Sequence, residues 1–418
     1  MKTLYFIVIV FLYIFSFYVP LAGNSIYIAF LLSVPLYNKR TSFYFLKFTR
    51  ASFFLSAMIL LLMVFSYYAV ATVAVGVNDF SLLKIYAGIL VYGGIGAFIA
   101  LVIFSNTEDE FIIHKLLYFC LLIQAFIILL SFANSSIKEF FDIFRTENSI
   151  EVANRYYGGG IRGLALSGSQ FFGLSVLLSS MTYFCCVLEF QLKNRTWFYV
   201  TILFCSIVFL SVGRTAIFGL IFGFLFLVLN FTKNYAFFLK FLVSCASIVA
   251  VLIMLYPIID PAIASKLNNF IAFAFEAVIN YMEYGKFHTS STDVLSNMYY
   301  SLPIDTLIHG DVQYTNSDGL YYGDTDAGYM RHVLALGLPM TCILMFSFYI
   351  ISSYTRFLFD VNNRKVAFGL FFVMLIILHY KGEVFWTLLS ETGLVIFLSV
   401  YGYAFRMAGL KSNSCTMK

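Results

Sequence analysis

The chain alternates long apolar runs with short polar interruptions. The run from 54 to 75, FLSAMILLLMVFSYYAVATVAV, is apolar on every face of a helix. A bilayer core about 30 Å thick is crossed by roughly 20 such residues in a helix. Barrel strands would instead read as alternating segments of about 10 residues, a pattern missing here. Apolar segments at 4–19, 23–37, 51–75, 85–104, 116–133, 164–189, 197–212, 215–231, 241–258, 327–350, 366–380 and 384–405 predict an all-α, polytopic integral membrane protein of about 12 transmembrane helices in one domain, 1–418. The first segment follows Met1-Lys2 like a signal peptide. The apolar segment directly after it favours an uncleaved first span.

Two longer stretches interrupt this rhythm, 134–163 and 259–326, and hold most of the acidic residues. Long loops in compact proteins are functional or disordered. Within the second, Ile263, Leu267, Phe270, Ile271, Phe275, Val278 and Met282 recur at helical spacing against Lys266, Asn268, Asn269, Glu276 and Glu283. This predicts an amphipathic helix, lying either on the membrane or on the protein itself.

Charge sets the orientation. With the N-terminus in the cytoplasm, that side collects sixteen of the 26 lysines and arginines, among them Lys39, Arg40, Lys47, Arg50, Arg356, Arg364, Lys365 and Arg406. The short loops opposite keep Lys84, Arg214 and Lys381, so both termini are expected in the cytoplasm and both long loops outside. Composition agrees with a lipid solvent: 61% of residues are hydrophobic and 11% charged, against about 25% charged in soluble domains. The net charge of +5 is spread over loops without a basic tract, which gives no sign of a nucleic-acid partner. The seven cysteines, six of them inside apolar segments, lack C-x-x-C spacing and suggest neither zinc nor disulfides.

Ionisable groups at membrane depth cost several kcal/mol, so each one implies a partner, a water-filled cavity or a ligand. Arg162 precedes the sixth span and Arg214 sits in the very short turn of FLSVGRTAIFG. Asp326 and Arg331 flank the start of the tenth span, and Lys381 and Glu383 separate the last two. Cations converging from several helices suit a diphosphate or another polyanion, and a carboxylate beside them suits a general base. The plainer alternative is that these charges mark span ends and pair with each other, as Lys381 and Glu383 are spaced to do. Weaker signals are the D-x-D triplet Asp324-Thr325-Asp326, which holds a metal in nucleotide-sugar enzymes, and His288, His309, His332 and His379, which read first as ordinary loop or interface histidines. Gly158, Gly159 and Gly160 lack the strand-to-helix setting of a phosphate loop. Most of the 50 Phe and 30 Tyr are expected to face lipid, with sugar stacking open to some.

The outward motifs RGLALSGSQFFG from Arg162, LSVGRTA around Arg214, DTDAGYMRHVLALGLP from Asp324 and KGEVFWTLLSETG from Lys381 resemble, in order and spacing, the bacterial O-antigen polymerases of the Wzy type, with O-antigen ligases as distant relatives. The resemblance implies a GT-C-like fold in the inner membrane. It also implies inverting transfer of a glycan from an undecaprenyl-diphosphate donor to a lipid-linked repeat unit on the periplasmic face, without nucleotide, metal or other cofactor. A chain-length regulator is a further implied partner. On this likeness Arg162 and Arg214 hold the diphosphate and Asp326 orients or deprotonates the acceptor hydroxyl, while Arg331, Lys381 and Glu383 line the site. The pattern of Arg followed by Gly sixteen positions later, seen in some polymerases, is missing at Arg145, Arg155 and Arg162, which leaves Arg155 a rival to Arg162. The alternatives are a ligase passing the glycan to lipid A-core and a flippase for the same lipid-linked sugars. A flippase would show charges inside the bundle and internal repeats.

Overall fold

The computed structural model describes residues 2–147, 150–151, 165–192, 196–230, 261–286 and 288–409, with the single positions 243, 246 and 254. The expected span 241–258, the triglycine at 158–160, Arg155 and Arg162 fall outside this set, apart from those single positions. Among the described residues the fold is helical, with one two-residue antiparallel ladder pairing Tyr18–Val19 with Gly23–Asn24.

In chain order the helices are α1 Lys2–Phe15, α2 Ser25–Ser33, α3 Lys39–Thr49, α4 Ser52–Val75, α5 Ser81–Asn106, α6 Ile112–Ala133 and α7 Ser135–Asp142. They continue with α8 Phe171–Gln191, α9 Thr196–Phe209, α10 Phe218–Leu229, α11 Pro261–Ala274, α12 Glu276–Tyr284, α13 Ser290–Asn297 and α14 Ile304–His309. The last three are α15 Gly328–Ser352, α16 Arg364–Lys381 and α17 Leu389–Met407. Among the described residues, five helical stretches are long and apolar enough to cross a membrane: Ser52–Val75, Ser81–Asn106, Ile112–Ala133, Phe171–Gln191 and Gly328–Leu358. Shorter apolar helices at Lys2–Phe15, Ser25–Leu36, Trp197–Phe209 and Arg214–Leu229 stand where further spans were expected.

The chain forms two compact units, Met1–Ala29 with Asp109–Thr289 and Phe30–Glu108 with Ser290–Lys418. Each is built around one helix buried on all sides. In the first this is α8, buried at every residue from Gly173 to Glu189. Its single carboxylate, Glu189, meets the buried His114 of α6 at 3.1 Å, so the charge is not left alone in an apolar interior. α10 lies directly against α8, because a Cβ on Gly219 would stand 1.9 Å from the carbonyl oxygen of Ser179. The segment entering α8 is tied on three sides: Gln124 bonds the backbone N–H and C=O of Leu166, Arg145 donates to the carbonyl of Ala165, and Ser167 donates to that of Phe15. Arg145, also paired with Asp142 at 2.9 Å, therefore has a structural part.

In the second unit α17 is the central helix, buried at every residue from Ser390 to Phe405. A helix surrounded by protein has no need of the uniform hydrophobicity of a lipid-facing one, which explains how it carries Glu391 and several Ser and Thr. α4 is the opposite case. Only its stripe Phe53, Ala57, Leu61, Val64, Tyr68 and Thr72, at steps of three and four, is buried. Its other faces expose Leu55, Ile59, Leu62, Val70 and Val73.

Three expected elements differ. The stretch 38–50, which separates two expected spans, is the helix α3, capped by the Asn38 side chain on the Thr41 N–H. The amphipathic helix of the second long loop breaks at Phe275 into α11 and α12. The span at 327–350 bends at Gly337, whose φ of 72° is left-handed, two residues before Pro339. There the loop after α14 docks: a Cβ on Gly337 would lie 2.3 Å from the carbonyl of Ile308, and the Asp311 N–H donates to Leu334 at 2.6 Å.

Close helix contacts make a direct test. Gly219→Ala should lower the unfolding midpoint in detergent by several degrees, since overpacking costs about 1–3 kcal/mol. Gly94→Ala, whose added Cβ meets nothing within 4 Å, should leave it unchanged or raise it slightly. Equal midpoints for the two variants would contradict the packing of α10 on α8.

Candidate functional site

The second unit gathers four of the expected residues, Asp326, Arg331, Lys381 and Glu383, at the N-terminus of α15 and the C-terminus of α16. Asp326 immediately precedes α15, and Arg331 lies on its first turn. Lys381 ends α16, and Glu383 stands in the return segment to α17. That segment is held firmly. The Val384 N–H donates to His379 Nδ1 at 2.9 Å, and the Trp386 indole donates to the Ser347 hydroxyl at 2.8 Å. Trp386 itself adopts a φ of 59°, a conformation that costs an L-residue about 1–3 kcal/mol and persists only where the surroundings impose it.

Glu383 turns to Arg331. Its Oε2 meets Arg331 Nη1 at 2.6 Å and accepts from the Tyr314 hydroxyl at 2.6 Å, while Oε1 lies 3.3 Å from His332 Nε2. Arg331 is only 6% exposed, and the rings of Tyr314 and Tyr321 cover its guanidinium, with centroids 4.0 Å and 3.7 Å from Cζ. Each such contact with a desolvated cation contributes up to about 2 kcal/mol. Nη1 is engaged by Glu383, whereas Nε and Nη2 are buried and without a hydrogen-bond partner among the described residues. The site therefore presents one planar edge with two adjacent N–H donors, the geometry that grips two oxygens of a phosphate or carboxylate.

The carboxylates differ in setting. Burial pushes the Glu383 carboxyl above its ordinary range, opposed by Arg331 and the Tyr314 hydroxyl, with Asp326 adding to the rise. Asp326 is exposed, yet its packed surroundings raise its pKa too, against the pull of Lys381 and Arg331. Asp326 is thus a reachable carboxyl, flanked by cations, with enhanced proton affinity. His332 and His379 are fully buried, their rings 4.9 Å apart. They belong to the cluster, although their sequence context reads as that of ordinary interface histidines.

Two positioning residues were not foreseen. Tyr314 is set by Asp79, in the turn between α4 and α5. One oxygen of this carboxylate accepts the Tyr314 and Thr315 N–H groups at 2.7 Å each, and the other accepts from the Ser81 N–H and hydroxyl and from the Thr315 hydroxyl. These bonds outweigh burial and hold the Asp79 carboxyl below its ordinary value.

In the first unit Arg214 opens a single 3-10 turn, Arg214–Ile217, between α9 and α10. It pairs with Glu276 at the start of α12 and lies over the Phe273 ring, 4.5 Å from its centroid. The amphipathic segment touches Arg214 through Glu276 and Phe273, which gives Glu276 a part it had not been assigned, while Ile271, Phe275, Val278 and Met282 of its apolar face stay exposed. Arg214 Nε and Nη1 are buried without a partner among the described residues. Arg155 and Arg162 lie outside the described residues.

Asp79 supplies a pH test. A carboxylate with a lowered folded pKa contributes stability above its unfolded value, about 4, and loses it as pH falls through the folded value. The unfolding midpoint of the wild type should therefore drop on acidification below about pH 4. Asp79→Asn should start lower at neutral pH and show a flatter acid limb, and parallel curves would contradict the assignment.

No protein-family model matches the chain, and a search of curated proteins finds no match.

Proposed function

We propose that this chain is a membrane glycosyltransferase that polymerises undecaprenyl-diphosphate-linked oligosaccharide repeat units into O-antigen or a related surface polysaccharide. The observation that carries the reading is the buried Arg331 with its free Nε–Nη2 edge. A guanidinium clamped between two tyrosines and a carboxylate, with two parallel N–H donors left, suits two oxygens of one phosphate, and a diphosphate leaving group presents such oxygens. The proposal includes the finer architecture: about 12 spans of a GT-C-like fold in the bacterial inner membrane, both termini in the cytoplasm and both long loops in the periplasm.

In the reaction the acceptor hydroxyl attacks the anomeric carbon of the donor glycan from the face opposite the diphosphate. The new C–O bond forms as the bond from the anomeric carbon to the phosphate oxygen breaks, and that electron pair leaves with undecaprenyl diphosphate. The hydroxyl proton passes to Asp326, whose raised proton affinity suits a general base. Arg331, with Lys381 close to Asp326, stabilises the charge developing on the leaving group, the kind of term that dominates such catalysis. Glu383 orients Arg331. Arg214, and Arg162 or Arg155, are further diphosphate ligands in this proposal, with no metal or other cofactor, and a chain-length regulator is a further partner.

A ligase acting on the same donor is the second reading, favoured by His332 at 3.3 Å from Glu383. Deleting the gene separates the two. Core bearing a single repeat unit on a lipopolysaccharide gel supports the polymerase. Bare core with long lipid-linked chains supports the ligase, and bare core with precursor on the inner leaflet would overturn both in favour of a flippase.

Within the polymerase reading, Arg331→Gln combined with Glu383→Gln removes both charges together, which avoids the roughly 3–5 kcal/mol penalty of one buried unpaired ion. This variant should insert normally and produce no ladder, and a normal ladder would remove Arg331 from the site. Asp326→Asn should likewise be inactive, while the wild-type rate should fall on acidification at a pH above the ordinary aspartate value of about 4. An acid limb unchanged in Asp326→Asn would exclude it as base.

A further inference from the structure

A second cationic cluster lies elsewhere in the second unit. Phe357, 9% exposed, carries three guanidinium groups at its ring: Arg356 at 5.0 Å, Arg364 at 5.2 Å and Arg406 at 4.7 Å from the centroid. They come from three elements, the 3-10 turn Ser353–Leu358, the first residue of α16 and the last turn of α17. Arg364 Nε donates to the Phe359 carbonyl at 2.9 Å, which fixes its fork. Asp360 favours the Arg364 charge, whereas Arg356 and Arg406 oppose it. Three cations thus converge on one ring, with Asp360 acting on Arg364. A general bias of positive charge toward one membrane side places arginines in loops, but it gives no reason for three long side chains to converge against their mutual repulsion instead of spreading into water.

Next to this cluster lies an apolar cavity of roughly 170 Å³, lined by Phe45 and Phe48 of α3, Phe54 and Met58 of α4, Gly94 of α5 and Ile396 of α17. The two features share a wall. Phe53, which also lines the cavity, stacks on Tyr354 at 3.5 Å, and Tyr354 lies 5.4 Å from Phe357. The cavity exceeds the ~150 Å³ that encloses benzene in an engineered core, so it has room for a run of methylenes. α3 adds Lys39, Arg40 and Lys47, with Arg50 directly after it, without an acidic residue, and exposes Phe43 and Leu46 beside them. Basic and apolar side chains so interleaved are the composition of a helix at a membrane interface.

We infer that this end of the second unit is a binding site for an anionic phospholipid, its phosphate held by Arg356, Arg364 and Arg406 and one acyl chain entering the cavity between α3, α4, α5 and α17. An anionic headgroup relieves the repulsion among the three arginines, whereas a zwitterionic one brings its own ammonium against them. The charge bias of the chain assigns all three arginines to the cytoplasmic side, the side whose lipid surface is negative. The inference is independent of the glycosyl-transfer chemistry, since it uses none of those residues.

The test is native mass spectrometry of the full-length protein in detergent, titrated with phosphatidylglycerol and phosphatidylethanolamine of identical acyl chains. Wild type should retain one phosphatidylglycerol with roughly tenfold preference, in line with the strength of single basic contacts to anionic lipid. Arg356→Gln with Arg406→Gln should bring that preference close to unity, with the unfolding midpoint checked alongside. Gly94→Leu changes no charge and places its side chain in open space, so it should fill the cavity and weaken phosphatidylglycerol retention in a folded protein. Equal retention by wild type and both variants, or no preference in the wild type, would overturn the inference. Complete displacement of the lipid by millimolar inorganic phosphate would also overturn it, by showing a headgroup site to which the cavity adds nothing.

Discussion

A buried arginine must be paired, and the arrangement around Arg331 follows from how that demand is met. Glu383 supplies the counter-charge at 2.6 Å, and two tyrosine faces replace the lost hydration of the guanidinium. Glu383 must in turn be held, so the return segment between α16 and α17 is pinned to His379 and to Ser347. Tyr314 must be held as well, and Asp79, itself fixed by two hydrogen bonds from Ser81, draws its loop down with three more. Removing one member leaves another charge or donor buried and unanswered, so the members depend on one another. Mutual support of this kind is what a site needs if it is to meet a developing charge without reorganising.

Both units show how a bundle in an apolar solvent accommodates polar residues. α8 and α17 are enclosed by their neighbours and hold Glu189 and Glu391, together with serines and threonines, away from lipid. α4 carries no such load and turns most of its surface outward. Small residues permit the closest contacts, as at Gly219 against Ser179 and at Gly337 against Ile308. The bend at Gly337 gives α15 a short first segment, and this segment carries Arg331 and His332.

The helical character was legible because lipid demands apolar surface over whole turns, a signal that survives any tertiary arrangement. Asp326, Arg331, Lys381 and Glu383 were legible as charges where charge is costly. Their pairing was not, since Lys381 and Glu383 are two residues apart and suggest each other, while the geometry directs Glu383 to Arg331. Asp79 left no trace in the pattern because its partners Tyr314 and Thr315 are 235 and 236 positions away. Tyr314 and Tyr321 were hidden among 30 tyrosines. Glu276 was read as part of a solvated face, and its partner Arg214, 62 residues earlier, was what determined its role. α17 falls below the uniform hydropathy of a span because burial by protein replaces burial by lipid.

The central claim is that the buried, unpartnered donor edge of the Arg331 guanidinium grips a diphosphate. Isothermal titration of a short-chain polyprenyl diphosphate into the purified protein measures this without requiring turnover. The account predicts one site in the wild type, with heat and affinity both lost in Arg331→Gln/Glu383→Gln. Equal affinity in the two proteins would contradict it.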